Sequence, residues 1–168
     1  MNYDGRFKLK DYFKNFPKTE NMKQFFDQSV ETHFTFMKSI PKPNPLWLSM
    51  LKDGGLNIYC IINDVKESPM QKIKTLIEQE NPDAYVFFGL GWSKTVIGGR
   101  AGLEKFLDNH EYGTIKNMPD KKEVLTVIGR SRDGQTEIQK LFFIKRNSKN
   151  MITDFEEDKG ERLEANLP

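Results

Sequence analysis

The sequence predicts an α+β domain built on an antiparallel, meandering sheet of about five to six strands. Apolar segments flank an Asp-Gly pair at Asp53-Gly54 and again at Asp133-Gly134. Asp-Gly between apolar segments is a strong hairpin signal, because Gly adopts positive φ without penalty. A helical segment at 68–81 separates the two hairpins. Strands grouped around a helix in this way are typical of α+β domains, with the helices expected on one face of the sheet.

Two N-terminal helices are predicted within residues 1–45. The first has apolar residues at the i, i+3, i+4, i+7 spacing of an amphipathic helix: Leu9, Tyr12, Phe13 and Phe16. The second spans about 19–40 and ends at the prolines of 41–45, because proline lacks an N–H donor and restricts the residue before it. Lysines between the aromatics of the first helix suit single-stranded nucleic acid. Because the aromatics fall on one stripe, an amphipathic helix docked on the domain is the favoured interpretation.

The sheet region is predicted from 46 to 155. Its first hairpin pairs 46–51 with 56–62. The helix that follows has Ser68 as N-cap and Pro69 at its first position, and its buried stripe is predicted to be Met70, Ile73, Leu76 and Ile77. Residues 84–90 are apolar on both faces, which indicates a central strand.

An irregular insertion rich in Gly and charge is predicted at 91–121, with one short helix inside it. A second hairpin then pairs 123–130 with 135–146, and a last short strand covers 151–155. Residues 156–168 are predicted to be an acidic, flexible tail. From Asp154 onward the chain has six acidic and two basic side chains. Because the whole chain has a net charge of +2, the residues before Asp154 have a net charge of +6. Such asymmetry is found both in interaction tails and in plain solvated termini.

Composition points to one cytoplasmic domain, since 168 residues fit a single domain and the chain has one Cys. No stretch of about 18 apolar residues is present, so no membrane partner is expected. No cofactor is expected. No metal site is expected either, because two His and one Cys at unrelated spacings do not make a zinc set. His33 is interpreted as a buried, satisfied histidine, and Cys60 as a small core residue.

The insertion contains the candidate binding residues. Residues 89–95 end in Lys-Thr after a strand, but the glycines that a phosphate loop needs are missing before Lys94. A Gly-rich turn before a helix can bind an anion, and can also simply let a loop turn. The candidates for anion or partner binding are Trp92, Lys94, Gly98, Gly99, Arg100, His110 and Glu111.

Three short motifs resemble a family of small prokaryotic proteins of unknown function. They are 82–92, which ends in Gly91-Trp92, then Pro119–Leu125, and Ser131–Gly134. The family pattern has an acidic residue near the end of the first motif, where this chain has Leu90 or Gly91. The resemblance spans roughly 46–152 and implies no activity. The order of helices and strands is also similar to that of roadblock and profilin-like domains, which is an analogy of fold and not of function.

The leading hypothesis for function is a non-catalytic interaction or accessory domain that binds a protein, a second copy of itself included, or nucleic acid. The uneven charge and the many aromatics motivate it. The alternative is a small hydrolase-type enzyme with its site in the insertion. That alternative requires Lys94, Arg100, Asp108, His110 and Glu111 to converge in one pocket.

Overall fold

A computed structural model describes residues 22–62, 66–93, 98–109, 114–118 and 120–159. Several predicted features lie outside these ranges: the first N-terminal helix (Leu9–Phe16), the tail beyond residue 159, and the candidate residues Lys94, His110 and Glu111.

The described residues form three α-helices and one six-stranded sheet. The helices are α1 (Met22–Lys38), α2 (Pro69–Glu80) and α3 (Gly99–Asn109), and a short 3-10 helix spans Thr114–Asn117. The strands are β1 (Leu46–Lys52), β2 (Gly55–Cys60), β3 (Ala84–Ser93), β4 (Lys122–Ser131), β5 (Glu137–Arg146) and β6 (Ile152–Glu157). They lie in the order β2-β1-β3-β4-β5-β6, and every neighbouring pair is antiparallel. The predicted α+β class and antiparallel sheet are confirmed.

Local turn chemistry accounts for where these elements begin and end. Asp53 and Gly54 have φ of 50° and 75°, the left-handed values that a type I′ hairpin turn requires. Gly134, in the second hairpin, has φ of 70°. The Ser68 side chain accepts a hydrogen bond from the Gln71 N–H at 3.2 Å and so caps the start of α2.

The two described helices that pack on the sheet lie on opposite faces of it. One hydrophobic cluster joins α1 to one face and includes Phe25, Phe26, Trp47, Val86 and Phe88. A second cluster joins α2 to the other face and includes Leu48, Met50, Ile73 and Phe87. Because successive residues of a strand point to opposite faces, these sets from β1 and β3 separate the two helices. The prediction that the helices pack on one face is therefore not confirmed, and the predicted pair of N-terminal helices is described only in its second member.

Three smaller differences concern single elements. β3 continues to Ser93, so the first residues of the predicted insertion belong to the central strand. Met70, predicted in the buried stripe of α2, is 62% exposed, because the helix presents only its Ile73 side fully to the sheet. β6 runs to Glu157, two residues into the predicted tail.

The Arg132 side chain joins three turns at one end of the sheet. Its Nε donates to the carbonyl of Pro82 at 3.0 Å, and its Nη2 donates to the carbonyl of Asn81 at 2.6 Å. The same Nη2 lies 2.8 Å from Oδ1 of Asp83, and the other oxygen of that carboxylate accepts from the Asp53 N–H at 3.0 Å. Arg132 of the Arg-Asp-Gly turn and the Pro82-Asp83 pair thus have a structural role, which is to hold the two hairpins together.

Replacing Arg132 by alanine is expected to lower the free energy of unfolding by about 1–2 kcal/mol, because charge-assisted hydrogen bonds to two carbonyls and a carboxylate are lost. Urea unfolding followed by circular dichroism measures the change. Arg100→Ala is the matched control, because its pair with Glu104 is exposed on a helix surface and such pairs contribute less than about 1 kcal/mol. Equal effects of the two changes would contradict the assigned role of Arg132.

Candidate functional site

Trp92 emerges from the core at the end of β3. The strand begins with alternating buried residues, Ala84, Val86 and Phe88, and its last residues leave the core. Trp92 lies opposite Glu123 of β4, and it is 45% exposed, which is unusual for the largest apolar side chain. An exposed Trp at the end of an otherwise buried strand marks this end of the sheet as a candidate binding surface.

A lysine covers part of the Trp92 ring. The Lys121 Nζ lies 4.4 Å from the ring centroid, a cation–π contact that contributes about 0.5–1 kcal/mol at an exposed site. Lys121 lies immediately before β4, so the contact joins the end of β3 to the start of its neighbour. The indole is therefore held in one orientation while a large part of it stays accessible.

A half-buried ion pair lies beside the tryptophan. The Arg146 Nε and Nη2 donate to the two carboxylate oxygens of Glu123 at 2.7 and 2.8 Å, and its Nη1 donates to the carbonyl of Asn150 at 2.8 Å. The side chains of the pair are 22% and 18% exposed. The hydrogen bond with Glu123 raises the pKa of Arg146, with partial burial acting against it. Both charges are thus committed to one another, and the pair is a rigid, nearly neutral element.

The proline segment at 41–45 forms the second wall of a cleft that Trp92 and this ion pair also line. The Asn44 side-chain oxygen accepts from the Leu46 N–H at 3.0 Å. The Asn44 backbone carbonyl accepts from the Trp47 indole N–H at 2.8 Å. The carbonyl of Pro45 accepts from the Leu90 N–H at 2.8 Å. These bonds hold the segment against β1 and β3. Because proline also restricts the backbone, this wall is stiff before any ligand arrives.

Together these groups form a cleft of about 410 Å³, a volume within the usual range of small binding sites. Its lining residues are Pro41, Lys42, Pro43, Pro45, Leu90, Gly91, Trp92, Glu123, Arg146 and Asn150. The prolines, Leu90 and Trp92 give it rigid apolar surface, and its ion pair is internally satisfied. Such an arrangement is suited to holding an apolar group, and Lys42 adds positive charge at the rim.

Gly98, Gly99 and Arg100, the other predicted candidates that are described, do not line this cleft. Gly98 and Gly99 stand at the start of α3 with φ of 107° and 61°, so the backbone accounts for both glycines without a ligand. The Arg100 Nε lies 3.1 Å from the Glu104 carboxylate, one turn along the same helix. Of the predicted candidates that are described, only Trp92 lines the cleft.

Apart from Trp92, the cleft leaves one signal in the sequence. Phe142, Ile144 and Arg146 alternate along β5 and so share its core-facing side. A charged residue on an apolar face at the end of a strand requires a partner, which Glu123 supplies. The prolines at 41–45 predict only a helix stop, because nothing local shows which strand the segment packs against.

His33 and Cys60 differ from their interpretations. His33 is buried as predicted, at 3% exposure, and stacks on Phe88 at 4.0 Å between ring centroids. Among the described residues, however, its Nε2 has no hydrogen-bond partner, so it is not satisfied. Burial lowers its pKa to about 3. Cys60 was interpreted as a core residue and is exposed at the end of the edge strand β2, with a pKa raised by partial burial of the thiol.

No group of three or more His, Cys, Asp or Glu side chains in the described part of the chain could hold a metal ion. None of its helices combines the length and the apolar character needed to cross a membrane.

Compared with protein families, with curated proteins and with solved structures, the chain shows no match. The resemblance to a family of small prokaryotic proteins, and the similarity to roadblock and profilin-like domains, stay predictions.

Proposed function

We propose that this protein is an interaction domain that binds a short apolar segment of a partner protein in the cleft around Trp92. The observation that carries the proposal is the cleft itself, with an exposed, oriented Trp92 facing a stiff proline wall. Trp and Arg are the residues most enriched among those that dominate protein–protein binding energy. Both Trp92 and Arg146 are already held in place, so little side-chain entropy is lost on binding.

Recognition is favoured over catalysis at this site, because the Glu123–Arg146 pair of the cleft is satisfied internally. Arg146 donates to both oxygens of Glu123 and to a backbone carbonyl. A general base or nucleophile must be able to reach a substrate atom, whereas this carboxylate is engaged by a guanidinium on both oxygens.

The charge at the rim supports a preference for an acidic residue next to the apolar anchor. Lys42 lines the cleft, whereas Glu123 is neutralised by Arg146. Complementary charge adds specificity and speeds association more than it adds affinity. We therefore expect ligands with an aromatic or aliphatic side chain flanked by Asp or Glu.

Selection from a random peptide library displayed on phage tests the proposal. Peptides that bind the wild-type protein should contain the expected pattern, and Trp92→Ala should weaken their binding at least about 30-fold, the effect of losing an interface anchor of about 2 kcal/mol. Trp92 also reports binding by fluorescence, while Trp47 is buried at 5% exposure and gives a constant background.

Met70→Ala is the matched control, because it removes an exposed apolar side chain that lies on α2 and not in the cleft. Binding should be unchanged in this variant. Peptides that bind the wild type and Trp92→Ala equally well would rule out the cleft as the binding site.

A second candidate ligand is single-stranded nucleic acid, which the Lys121 contact with Trp92 favours. Bases stack on aromatic rings while lysines contact phosphates. Titrating oligothymidylate at two salt concentrations separates the two ligands, because phosphate contacts weaken steeply with salt. Quenching of Trp92 that disappears at the higher salt concentration would support nucleic acid; absence of quenching at low salt would exclude it.

The enzyme alternative placed its site in the insertion. Of the five side chains it requires, Arg100 and Asp108 are described and both are exposed on α3. The alternative remains a prediction, and no observation of the described residues favours it over the cleft.

A further inference from the structure

The two edge strands of the sheet differ in how they are protected from pairing with another strand. Within the described residues, β2 and β6 each have one neighbouring strand, so each has an unpaired edge of backbone N–H and C=O groups. Such an edge can pair with another strand, and proteins commonly prevent this with charged side chains or with bulges.

β6 has both kinds of protection. Asp154, Glu156 and Glu157 give it three carboxylates in six residues. Its pairing with β5 also has a register shift between Lys145 and Arg146. Glu156 and Glu157 pair with Lys145 and Lys140 of β5, and charged side chains on an edge strand disfavour the addition of another strand.

β2 has neither. Its sequence, Gly-Leu-Asn-Ile-Tyr-Cys, carries no charge over residues 55–60, and its pairing with β1 is regular from one end to the other. An uncharged, regular edge is the form that most readily accepts another strand.

The register of the hairpin shows which groups are available on that edge. The Ile61 N–H donates to the Leu46 carbonyl at 3.0 Å, and hydrogen-bonded pairs alternate along an antiparallel ladder. Leu56, Ile58 and Cys60 therefore direct their N–H and C=O groups away from β1.

Exposed apolar side chains lie next to the same edge. Ile62, two residues beyond β2, is 68% exposed, and Met70 at the start of α2 is 62% exposed. The Lys72 Nζ donates to the Ile62 carbonyl at 2.8 Å and so ties the two segments together. The exposed Ile62 would lie beside the end of a strand added to β2.

We propose that β2 is the contact between two copies of this chain, which pair antiparallel about a two-fold axis through Ile58. A second copy is the occupant that fits, because an uncharged edge is complementary to itself and an antiparallel pair of identical strands is symmetric by construction. With Ile58 opposite its own copy, Leu56 faces Cys60 of the second copy. This register uses all three outward-facing residues of each strand. The two sheets then form one continuous sheet.

The test is the oligomeric state measured by light scattering during gel filtration of the full chain. The wild type should be a dimer. Asn57→Lys should weaken it at least about tenfold, because it places like charges on both sides of the axis. Asn57→Thr is the matched control and should remain a dimer, since Asn57 is exposed and threonine suits a strand. A monomeric wild type, or a dimer that tolerates lysine at this position, would overturn the proposal.

A cross-link tests the register. In hydrogen-bonded pairs the Cα atoms are about 5.5 Å apart, within the range of disulfides. Leu56→Cys should therefore form a covalent dimer with Cys60 when treated with oxidised glutathione. Within one chain the two positions are four residues apart on an extended strand, about 13 Å, and cannot join. Adding Cys60→Ser should abolish the cross-link, and a cross-link that survives it would overturn this register.

Discussion

Replacing Gly129 by alanine is expected to lower the free energy of unfolding by about 1–3 kcal/mol, the usual cost of overpacking a core. A Cβ atom at this position of β4 would stand 2.5 Å from Cδ2 of Phe26 and 2.8 Å from Cε of Met22. Carbon atoms in contact are about 3.5–4 Å apart. Phe26 is fully buried, so its ring has to move within a packed cluster, whereas the flexible Met22 can yield more readily.

Gly91→Ala is the control for the change of residue type. A Cβ there meets no atom within 4 Å, and the substitution reduces the freedom of the unfolded chain by the same amount. We expect a change within about 0.5 kcal/mol. Urea unfolding of both variants, followed by circular dichroism, measures the difference.

A double-mutant cycle tests whether Phe26 is the side chain with which the added Cβ collides. Phe26→Leu removes part of the ring that the new Cβ meets, so it should cost less in the Gly129→Ala background than in the wild type. Costs that simply add would show that α1 does not pack against Gly129 through Phe26.

The second large effect is expected from His33. Its pKa of about 3 in the folded protein lies below the usual value of 6.5, so between these values the unfolded chain binds a proton that the folded chain does not. The stability that comes from keeping His33 neutral is complete above pH 6.5 and is lost as the pH falls from 6.5 towards 3. At pH 5 the loss amounts to about 2 kcal/mol relative to pH 7.5.

His33→Phe isolates this effect from the carboxylates that titrate in the same range. Phenylalanine keeps an aromatic ring against Trp47 and Phe88 but cannot be protonated. Unfolding free energies of both proteins are measured at pH 7.5 and pH 5. The wild type should lose about 2 kcal/mol more than the variant over this interval. Equal losses would mean that His33 is reached by water or by a hydrogen-bond partner.

Much of the fold could be predicted from local sequence signals. The hairpin at Asp53-Gly54 and the helix that starts at Ser68 depend on residues within a few positions of each other. β3 and the sheet class follow from apolar patterns of the correct period. These signals act over short distances along the chain, and so they can be read without knowing what packs against them.

Of the residues that line the cleft, the sequence predicted only Trp92 as a binding residue. The cleft joins segments near residues 41–45, 90–92, 123 and 146–150, and no local pattern links positions so far apart. Predictions about single side chains failed for a related reason. Met70 and Cys60 are residue types that are common in protein cores. Met70 nevertheless lies on the outer side of α2, and Cys60 lies at the sheet edge.

By itself, then, the sequence determined the types of the elements, their turns and the antiparallel sheet, because those depend on backbone preferences and on periodicity. The tertiary structure alone decided that α1 and α2 cover opposite faces, that Arg132 joins the turns, and that Trp92 opens onto a cleft. A period of two shows which residues of a strand share a face. What covers that face depends on contacts between distant segments, which form only when the whole chain is folded.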